Sequence, residues 1–479
     1  MSDLFTTREG LIGLAYLVAA FLFVLGLRYL SNPTTARRGN QIAAGGMAIA
    51  VLATFFLHDD NGEGMKTTNI ILIIIAIAIG AVASTYPSRK VPMTAMPQMV
   101  AIFNGMGGAT AALVAIGEFM HLSDELSRGQ TISVVLGVII GSISFAGSVI
   151  AFLKLQEMIS GRPIVWTGQN IVNLAIALAI VVMGVAVAFG FVEGDTAKGM
   201  LLGVFGLSLL LGLGTVLPIG GADMPVVIAI LNSFTGVAAA ITGFQLDNQA
   251  LIVAGALVGA SGAFLTLLMA RAMNRSVSNV LFGAFGSVST AGGGATGEGG
   301  EALPIREISA EDAAIPLAYA ERVIIVPGYG LAVAQAQQQV RELADLLKER
   351  GVDVRYAIHP VAGRMPGHMN VLLAEANVAY DDLYEMEQIN DDFSNTDVAL
   401  VIGANDVTNP AARSDTSSPI YGMPILNVDK ARTVVVVKPS LGSGFAGLPN
   451  PLFARDNCLM VFGDGKKAVI DITAALNVA

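Results

Sequence analysis

A glycine-rich turn in the C-terminal third of the chain has the residue types and spacing of a phosphate-binding loop. Its sequence is Pro327–Gly328–Tyr329–Gly330–Leu331–Ala332–Val333, directly after the apolar run Val323–Val326. Two glycines let a backbone turn tightly and approach a pyrophosphate, and the start of a following helix stabilises the negative charge. Val333 occupies the third glycine position of the usual fingerprint. The pattern therefore predicts a dinucleotide site with an incomplete motif.

The residues after the second predicted strand favour NADP over NAD. An acidic side chain at this position holds the ribose 2′-hydroxyl of NAD and would repel the 2′-phosphate of NADP. The chain has Ile358–His359–Pro360 there instead. Arg364 follows in the same loop, and an arginine suits a phosphate group. The alternative interpretation of this loop is an ordinary surface turn.

Two further glycine-containing loops follow predicted strands. One is Gly403–Ala404–Asn405–Asp406, and the other runs from Lys438 through Gly442–Gly447. The second has the composition of a lid that folds over a ligand. Taken as isolated glycine-rich segments, both are equally typical of simple turns.

Three polar side chains lie within or at the start of long apolar segments. Asn104 and Asn232 lie inside such segments, and Asp223 precedes Met224–Pro225. A polar group in hydrocarbon needs a partner or water. The two asparagines are therefore either hydrogen-bond links between helices or part of a hydrated path. Asp223 is either an N-cap before a first-turn proline or a functional carboxylate.

From Arg322 onward the chain alternates strand and helix patterns, with helices predicted over Ala332–Arg350 and after Asp464. Such alternation predicts a Rossmann-like, doubly wound parallel sheet with ligands at the carboxyl ends of its strands. The predicted strands are Val323–Val326, Val354–Ile358, Val398–Ile402, Pro424–Val428, Thr433–Lys438 and Leu459–Phe462.

The first 274 residues consist mainly of apolar segments long enough to cross a hydrocarbon core of ~30 Å. We predict about nine such helices, so the fold class is a multi-span α-helical membrane domain followed by an α/β domain. An odd number places the two chain ends on opposite sides. The predicted spans are Leu11–Tyr29, Gln41–Leu57, Asn69–Tyr86, Met96–Gly117, Ile132–Leu153, Asn170–Val192, Gly199–Leu217, Met224–Phe244 and Ala250–Ala270.

Basic and acidic residues separate between alternate loops of this region. The loops on the side of the C-terminal domain are predicted to contain Arg37, Arg38, Arg89, Lys90, Lys154, Arg162, Arg271 and Arg275. The opposite loops contain Asp59, Asp60, Glu63, Asp124, Glu125, Glu193, Asp195 and Asp247. The positive-inside rule then places the N-terminus outside and the C-terminal domain in the cytoplasm.

A segment rich in Gly, Ser, Ala and Thr, residues 283–300, has the composition of a flexible tether. The predicted organisation is a membrane domain over 1–274, a linker over 275–321 and an NADP(H)-binding domain over 322–479.

Composition excludes several kinds of protein and site. Hydrophobic residues make up 54% of the 479 residues and charged residues 13%, which is too apolar for a soluble protein. The single cysteine, Cys458, excludes a disulfide framework and thiolate-ligated iron–sulfur or structural zinc sites. A net charge of −10 argues against nucleic acid as a partner. Any redox chemistry therefore requires a dissociable organic cofactor.

Four strings of residues together resemble a known family. They are GYGLAVAQAQ at 328–337, HPVAGRMPGHMNVLLAEA at 359–376, GANDVTNPAA at 403–412 and GGADMPVVIAILNS at 220–233. The combination resembles the β subunit of the proton-translocating NAD(P) transhydrogenase, and the resemblance spans essentially the whole chain.

The resemblance implies a subunit of a Re/Si-specific, proton-translocating transhydrogenase. Hydride would pass from NADH on a partner α subunit to NADP⁺ on this chain, with protons entering the cytoplasm through the membrane domain. The partner would carry the NAD(H) domain and the remaining membrane helices, in a dimer of heteromers surrounded by lipid. The chain would be a multi-pass protein of the bacterial inner membrane.

The resemblance also assigns roles to residues. Gly328, Tyr329 and Gly330 would meet the pyrophosphate, Lys438 the 2′-phosphate, and Asp406 would lie near the nicotinamide and couple its protonation to nucleotide occlusion. The full set of expected nucleotide contacts is Gly328, Tyr329, Gly330, Ala332, Val333, Val361, Ala362, Gly363, Arg364, Pro366, Gly403, Ala404, Asn405, Asp406, Lys438, Gly442, Ser443, Gly444, Phe445 and Ala446. Positions expected in proton conduction or domain coupling are Asn104, Asp223, Asn232, Ser261 and Gly262.

Two positions depart from the family pattern. Many relatives have a histidine, the natural proton carrier near neutral pH, where this chain has Asn104. In one branch that histidine lies on a partner helix, which is the arrangement expected here. Pro439 stands where relatives often have an arginine beside the lysine.

Two other classes of function are compatible with a membrane domain and a nucleotide-binding domain. One is a channel or transporter gated by a nucleotide sensor, although a potassium filter of the TVGYG type is absent from the sequence. The other is a structural membrane anchor for a dehydrogenase, which would not need polar residues in its spans. Only the transhydrogenase requires an NAD-binding partner.

Overall fold

The computed structural model describes residues 8–32, 34–57, 65–123, 126–161, 163–273, 276–282, 305–363, 367–416, 418, 420–442 and 448–478. Internal contacts divide the chain into two compact units, which are described separately. The N-terminal unit comprises residues 1–221 and 227–266, and the C-terminal unit comprises 222–226 and 267–479.

The described part of the N-terminal region contains nine long helices, at the positions predicted for the spans. They are α1 Arg8–Leu30, α2 Ala36–Thr54, α3 Thr67–Lys90, α4 Met96–Leu122, α5 Arg128–Leu155, α6 Gln169–Ala188, α7 Gly194–Val216, α8 Met224–Gln245 and α9 Gln249–Ala272. Eight of these, all except α2, are long and apolar enough to cross a membrane. Helix α2 begins with the polar sequence ARRGNQ, which lowers its apolar content.

Small residues set the spacing of the central helices. A Cβ at Gly108 of α4 would lie 2.7 Å from the Gly141 oxygen of α5, and a Cβ at Gly141 would lie 2.6 Å from the Gly108 oxygen. The two backbones are therefore in direct contact, as glycine permits in membrane bundles. Helix α3 is the opposite case, because none of its residues is buried against the rest of the described chain.

The prediction that Lys154 adds positive charge to a loop is wrong. Lys154 lies in the last turn of α5 and is only 3% exposed. Its ammonium group is enclosed by the ends of neighbouring helices, so it does not contribute to the charge of a loop.

The C-terminal unit contains a six-stranded, fully parallel sheet in the order β3-β2-β1-β4-β5-β6. This confirms the predicted doubly wound architecture, in which the strand order reverses between β1 and β4. The strands are β1 Arg322–Pro327, β2 Asp353–Ile358, β3 Leu383–Glu385, β4 Val398–Ile402, β5 Thr433–Lys438 and β6 Cys458–Phe462. The remaining helices are α10 Val277–Phe282, α11 Ala310–Ala318, α12 Tyr329–Val333, α13 Gln337–Glu349, α14 His368–Glu375, α15 Met386–Ile389, α16 Ala411–Ser414 and α17 Gly465–Val478.

Apolar periodicity explains how these elements pack. The central strands β1, β4 and β5 are buried on both faces, as expected when helices cover both sides of a parallel sheet. Helix α13 buries Val340, Leu343, Ala344 and Leu347, which recur at helical spacing. The unit therefore has a continuous core of its own.

Two predicted elements of this unit are wrong, the strand Pro424–Val428 and the uninterrupted helix Ala332–Arg350. Pro424–Val428 forms no strand, because its backbone is bonded elsewhere: the Asn390 side chain binds the Ile425 oxygen at 3.0 Å and the Asn427 nitrogen at 2.9 Å. The short strand β3 takes a place at the edge of the sheet that the sequence pattern did not indicate. The helix predicted over Ala332–Arg350 is interrupted at Gln335, whose φ is 49°.

The predicted domain boundaries stay a prediction, but the range assigned to the linker contains ordered structure. Helix α11 packs against α17, and Glu307 forms a parallel bridge with Met460 of β6. Ser309 caps this helix through the Asp312 nitrogen at 3.1 Å. The glycine-rich stretch 283–300 lies outside the described residues.

Candidate functional site

Two glycine loops meet at the carboxyl ends of β1 and β4, where the strand order reverses. The Gly328 nitrogen donates to the Ile402 oxygen at 2.9 Å, and the Gly330 nitrogen donates to the Gly403 oxygen at 2.9 Å. Both N–H groups therefore hold the two loops together. This is the position at which open parallel sheets bind ligands.

No side chain fits between these loops. A Cβ at Gly328 would lie 2.3 Å from the Gly403 oxygen, and a Cβ at Gly403 would lie 2.5 Å from the Gly330 Cα. Gly403 also has a φ of +65°, which strains any residue with a side chain. The glycines are thus required by the approach of backbone to backbone.

The helix that follows the first loop is short. Helix α12 has five residues; Ala332 is buried, whereas the Val333 side chain is 60% exposed. The exposure of Val333 explains why glycine is not needed at the third position of the motif. The ring of Tyr329 stands edge-on to that of His368, with centroids 6.1 Å apart.

His359 organises the loop after β2. Its Nδ1 accepts a hydrogen bond from the Val361 nitrogen at 3.2 Å, so Nε2 is the protonated atom and donates to the Pro424 oxygen at 2.8 Å. The side chain is 1% exposed, and burial lowers the pKa of His359 to about 4. The imidazole is therefore neutral, and its two hydrogen bonds hold the loop after β2 against the segment that contains Pro424.

The same loop ends against a second histidine. Ala362 is buried, and its nitrogen donates to the His359 oxygen at 3.0 Å. Gly363 has a φ of +100°, and a Cβ there would lie 2.5 Å from Nδ1 of His368. Arg364 and Pro366, which were predicted to contact the nucleotide, lie outside the described residues.

The loop after β4 is held from a third direction. The Asn450 side chain donates to the Asn405 backbone oxygen at 3.1 Å and to its Oδ1 at 3.0 Å. Ala404 is buried, and Asp406 begins a 3₁₀ turn, Asp406–Thr408. Asp406 therefore lies at the same carboxyl edge of the sheet.

Lys438 is the cation of this edge. It ends β5, its Nζ lies 5.1 Å from the Phe453 ring centroid, and it donates to the Gly442 oxygen. Partial burial lowers the pKa of Lys438, and the Asp406 carboxylate opposes that effect. A half-buried ammonium group at this edge can bind a phosphate. Ser443, Gly444, Phe445 and Ala446 of the predicted lid lie outside the described residues.

In the N-terminal unit, Asn104 belongs to a buried polar cluster. Its Nδ2 donates to Ser148 Oγ at 2.9 Å, and its backbone oxygen accepts from Thr235 Oγ1 at 3.4 Å. Ser144 Oγ lies 2.7 Å from Thr235 Oγ1 and donates to the Leu231 oxygen at 2.9 Å. Asn104 is 8% exposed, and its Oδ1 has no protein partner among the described residues. The cluster links α4, α5 and α8.

The other predicted membrane positions are on α8, on α9 and in the turn before α8. Ser261 is exposed and bonds within its own helix, to the Leu257 oxygen at 2.8 Å. A Cβ at Gly262 would lie 2.8 Å from the Ser233 nitrogen, so α8 and α9 touch there. Asn232 and Asp223 are half-buried, and Asp223 ends the 3₁₀ turn Gly221–Asp223 before α8.

The sequence model of the family described as NAD(P) transhydrogenase beta subunit matches residues 12–475. The chain belongs to that family. Two sequences named NAD(P) transhydrogenase subunit beta, one from Rhodospirillum rubrum and one from a named strain of that organism, are each 50% identical over 473 residues. The match covers 97% of this chain and 98% of each relative.

Membership in the transhydrogenase beta family makes this chain a subunit of an oxidoreductase and implies NADP(H) binding and an alpha subunit as partner. The eight apolar helices agree with an integral membrane protein. No group of three metal-ligating side chains occurs in the part of the chain that the structure describes.

Sequence reasoning missed several residues of this transhydrogenase subunit. Ser144 and Ser148 are spaced four apart on α5, which was a detectable signal because it puts both on one helix face. Asn450 had no such signal, since it comes from a loop distant in sequence. Lys154 was noted only as a loop charge.

Proposed function

We propose that the C-terminal unit binds NADP(H) and exchanges hydride with NAD(H) held on the partner alpha subunit. The observation that carries this proposal is the meeting of two glycine loops at the reversal of strand order, beside Lys438 and Asp406. When bound, the nucleotide supplies the nicotinamide that accepts or donates hydride. This chain supplies its orientation.

The preference for NADP follows from charge at the ends of β2 and β5. The residue after β2 is the buried neutral His359 rather than an acidic residue. A carboxylate there would favour a ribose hydroxyl and repel a 2′-phosphate. Lys438, at the end of β5, would provide a cation for the 2′-phosphate, and Arg364 of the loop after β2 would be a further phosphate ligand.

The remaining roles follow the arrangement of the loops. Gly328, Tyr329 and Gly330 would lie along the pyrophosphate, with the 361–363 loop on one side and the Gly403–Asp406 loop on the other. Segment 442–446 would cover the nucleotide. Asp406, fixed next to the cation, is placed to gain or lose a proton as the nucleotide is occluded.

We further propose that protons cross the N-terminal unit and enter the cytoplasm, where the C-terminal unit lies, in a bacterial inner membrane. The buried cluster of Asn104, Ser148, Ser144 and Thr235 is a suitable part of that path, because it joins polar groups of three helices and Asn104 Oδ1 is buried with no protein partner among the described residues. Asp223, Asn232, Ser261 and Gly262 would act in conduction or in coupling to the nucleotide domain.

Partner helices would complete the bundle. Helix α3 is apolar over most of its length and buries none of its residues within the described chain. An alpha subunit with its own membrane helices is the fitting occupant of that surface, in a Re/Si-specific enzyme built as a dimer of heteromers. The proton-carrying histidine absent at Asn104 would come from that partner.

The test is proton uptake by vesicles that contain the complete complex with its alpha subunit, during reduction of NADP⁺ by NADH or the reverse. We expect Asp406→Asn to abolish proton-coupled turnover, while Asp381→Asn, an exposed carboxylate of the same unit, leaves it unchanged. Full coupled turnover in Asp406→Asn would contradict the proposal. Proton or ion flux without hydride transfer would instead support a nucleotide-gated transporter.

A further inference from the structure

A lysine is buried inside the N-terminal unit. Lys154, in the last turn of α5, is 3% exposed, and its Nζ donates to the Leu217 oxygen at 2.5 Å and to the Ile219 oxygen at 2.6 Å. It forms no ion pair with any described carboxylate. Its two partners are backbone oxygens in the segment just after α7.

These oxygens belong to a helix terminus that needs donors. The last carbonyls of a helix have no partner within the helix, and in a membrane there is little water to supply the missing donor. Gln169 Nε2 and Asn173 Nδ2 meet the same need one turn earlier, each donating to the Gly214 oxygen at 3.0 Å. Side chains of α5 and α6 therefore hold the end of α7.

The contrast between these donors indicates a purpose for the charge. Amides are sufficient at the Gly214 oxygen, whereas a cation serves at Leu217 and Ile219. Burying a cation in a membrane bundle costs more than burying an amide. The positive charge also interacts favourably with the C-terminal end of the α7 dipole, which an amide does only weakly.

The segment held by Lys154 leads directly to Asp223. The Leu217 oxygen also accepts from the Ile164 nitrogen at 3.1 Å, and the Gly221 nitrogen donates to the Gly161 oxygen at 2.8 Å. The segment Leu217–Gly221 is thus fixed at both ends. The next two residues, Ala222 and Asp223, precede the start of α8.

We propose that Lys154 is a positioning residue for proton translocation. Its ammonium group fixes Leu217–Gly221 and thereby the position from which Asp223 acts. This inference rests on the proposed function, and it adds a charged residue on α5 to the set that controls coupling. Lys154 does not itself carry protons in this account.

The test uses the complete complex in vesicles and four proteins: wild type, Lys154→Gln, Lys154→Arg and Arg128→Gln. Gln keeps a donor but removes the charge, Arg keeps the charge, and Arg128, an exposed base at the start of the same helix, serves as the control. On each preparation, the coupled rate, the NADPH affinity and the amount of assembled complex are measured.

We expect Lys154→Gln to lower the coupled rate at least about tenfold, since small displacements of a working group have effects of this size. NADPH affinity and the amount of complex should stay close to wild type, Lys154→Arg should recover the larger part of the rate, and Arg128→Gln should change nothing. Lys154→Gln then separates coupling from binding.

Two outcomes overturn the inference alone: a wild-type coupled rate in Lys154→Gln, or a parallel loss of rate, affinity and assembled complex in both Lys154 variants, which would mean a purely structural role. Wild-type vesicles that transfer hydride without taking up protons would instead overturn the proposed function, and this inference with it.

Discussion

The two candidate sites of this chain are built differently. Backbone groups form the site in the C-terminal unit, and side chains form the site in the helical bundle. At the carboxyl edge of the sheet, backbone meets backbone: Gly328 and Gly330 bond to the loop after β4, and no side chain fits between them. In the helical bundle, side chains bond across helices, as in the pair Asn104 and Ser148. No added atom fits between the loops of the first site, whereas the second site requires particular polar groups.

The difference follows from the surroundings. A loop at the edge of a sheet is exposed to water and is shaped by which backbone conformations are allowed. A helix in a membrane has already satisfied its backbone, so only side chains and helix ends remain to bind or relay anything. Substitutions in the glycine loops of the first site should therefore act through sterics, and substitutions in the polar cluster of the second site through hydrogen bonding.

The largest effect is expected from Gly403→Ala in the C-terminal unit. The new Cβ would be strained by the positive φ and would also clash with Gly330, whereas Gly351→Ala has a φ of +86° and open space around it. We expect destabilisation of about 3 to 5 kcal/mol for Gly403→Ala and about 1 to 2 kcal/mol for Gly351→Ala. Denaturant unfolding of the isolated C-terminal fragment measures both. Equal losses would show that strain alone explains the glycine.

The next effect concerns the pH dependence of stability through His359. Burial lowers its pKa to about 4 in the folded state, so the unfolded chain takes up the proton first as the pH falls. The neutral His359 contributes its full stabilisation above the unfolded pKa of about 6.5, and this stabilisation is lost on acidification. The free energy of unfolding should fall by about 2.5 kcal/mol between pH 7.5 and 4.5. In His359→Gln this part of the pH dependence should vanish. An unchanged difference between the two proteins across that range would refute the buried neutral imidazole.

A smaller effect is expected from Lys438→Met on nucleotide binding. Removal of a charge-assisted bond to a phosphate costs about 1.5 to 3 kcal/mol, or roughly 10- to 100-fold in Kd for NADPH. Lys430→Met, on the same unit but outside the site, is the control. If NADPH affinity survives Lys438→Met, the 2′-phosphate is bound elsewhere.

The smallest effect on stability is expected in the membrane cluster. Ser148→Ala removes the partner of Asn104 Nδ2, which in a membrane bundle changes stability by about 0.6 kcal/mol. We nevertheless expect proton uptake to slow clearly, because the cluster would lose a hydroxyl of the path. An unaffected proton rate would assign the cluster to helix packing.

Much of the architecture could be predicted from residue patterns. Apolar length identified the helices of the N-terminal region, and strand–helix alternation with the Gly328–Gly330 turn indicated the doubly wound sheet and its binding edge. These features depend on local periodicity, which a single sequence displays.

The features that were missed depend on tertiary contacts. Pro424–Val428 has the composition of a strand, but Asn390 and His359 bind its backbone before a neighbouring strand can. Lys154 was predicted as a loop cation because its contact with the end of α7 is a tertiary one that no local pattern indicates. Asn450 and His359 reach the site from loops whose approach no local pattern specifies.

Calorimetric titration of the fragment Glu301–Ala479 with NADPH and with NADH shows whether the C-terminal unit is an NADP(H) site. We expect tight binding of NADPH and much weaker binding of NADH, because the unit has a cation for the 2′-phosphate and no carboxylate after β2. A preference for NADH, or no binding of either nucleotide, would contradict this assignment.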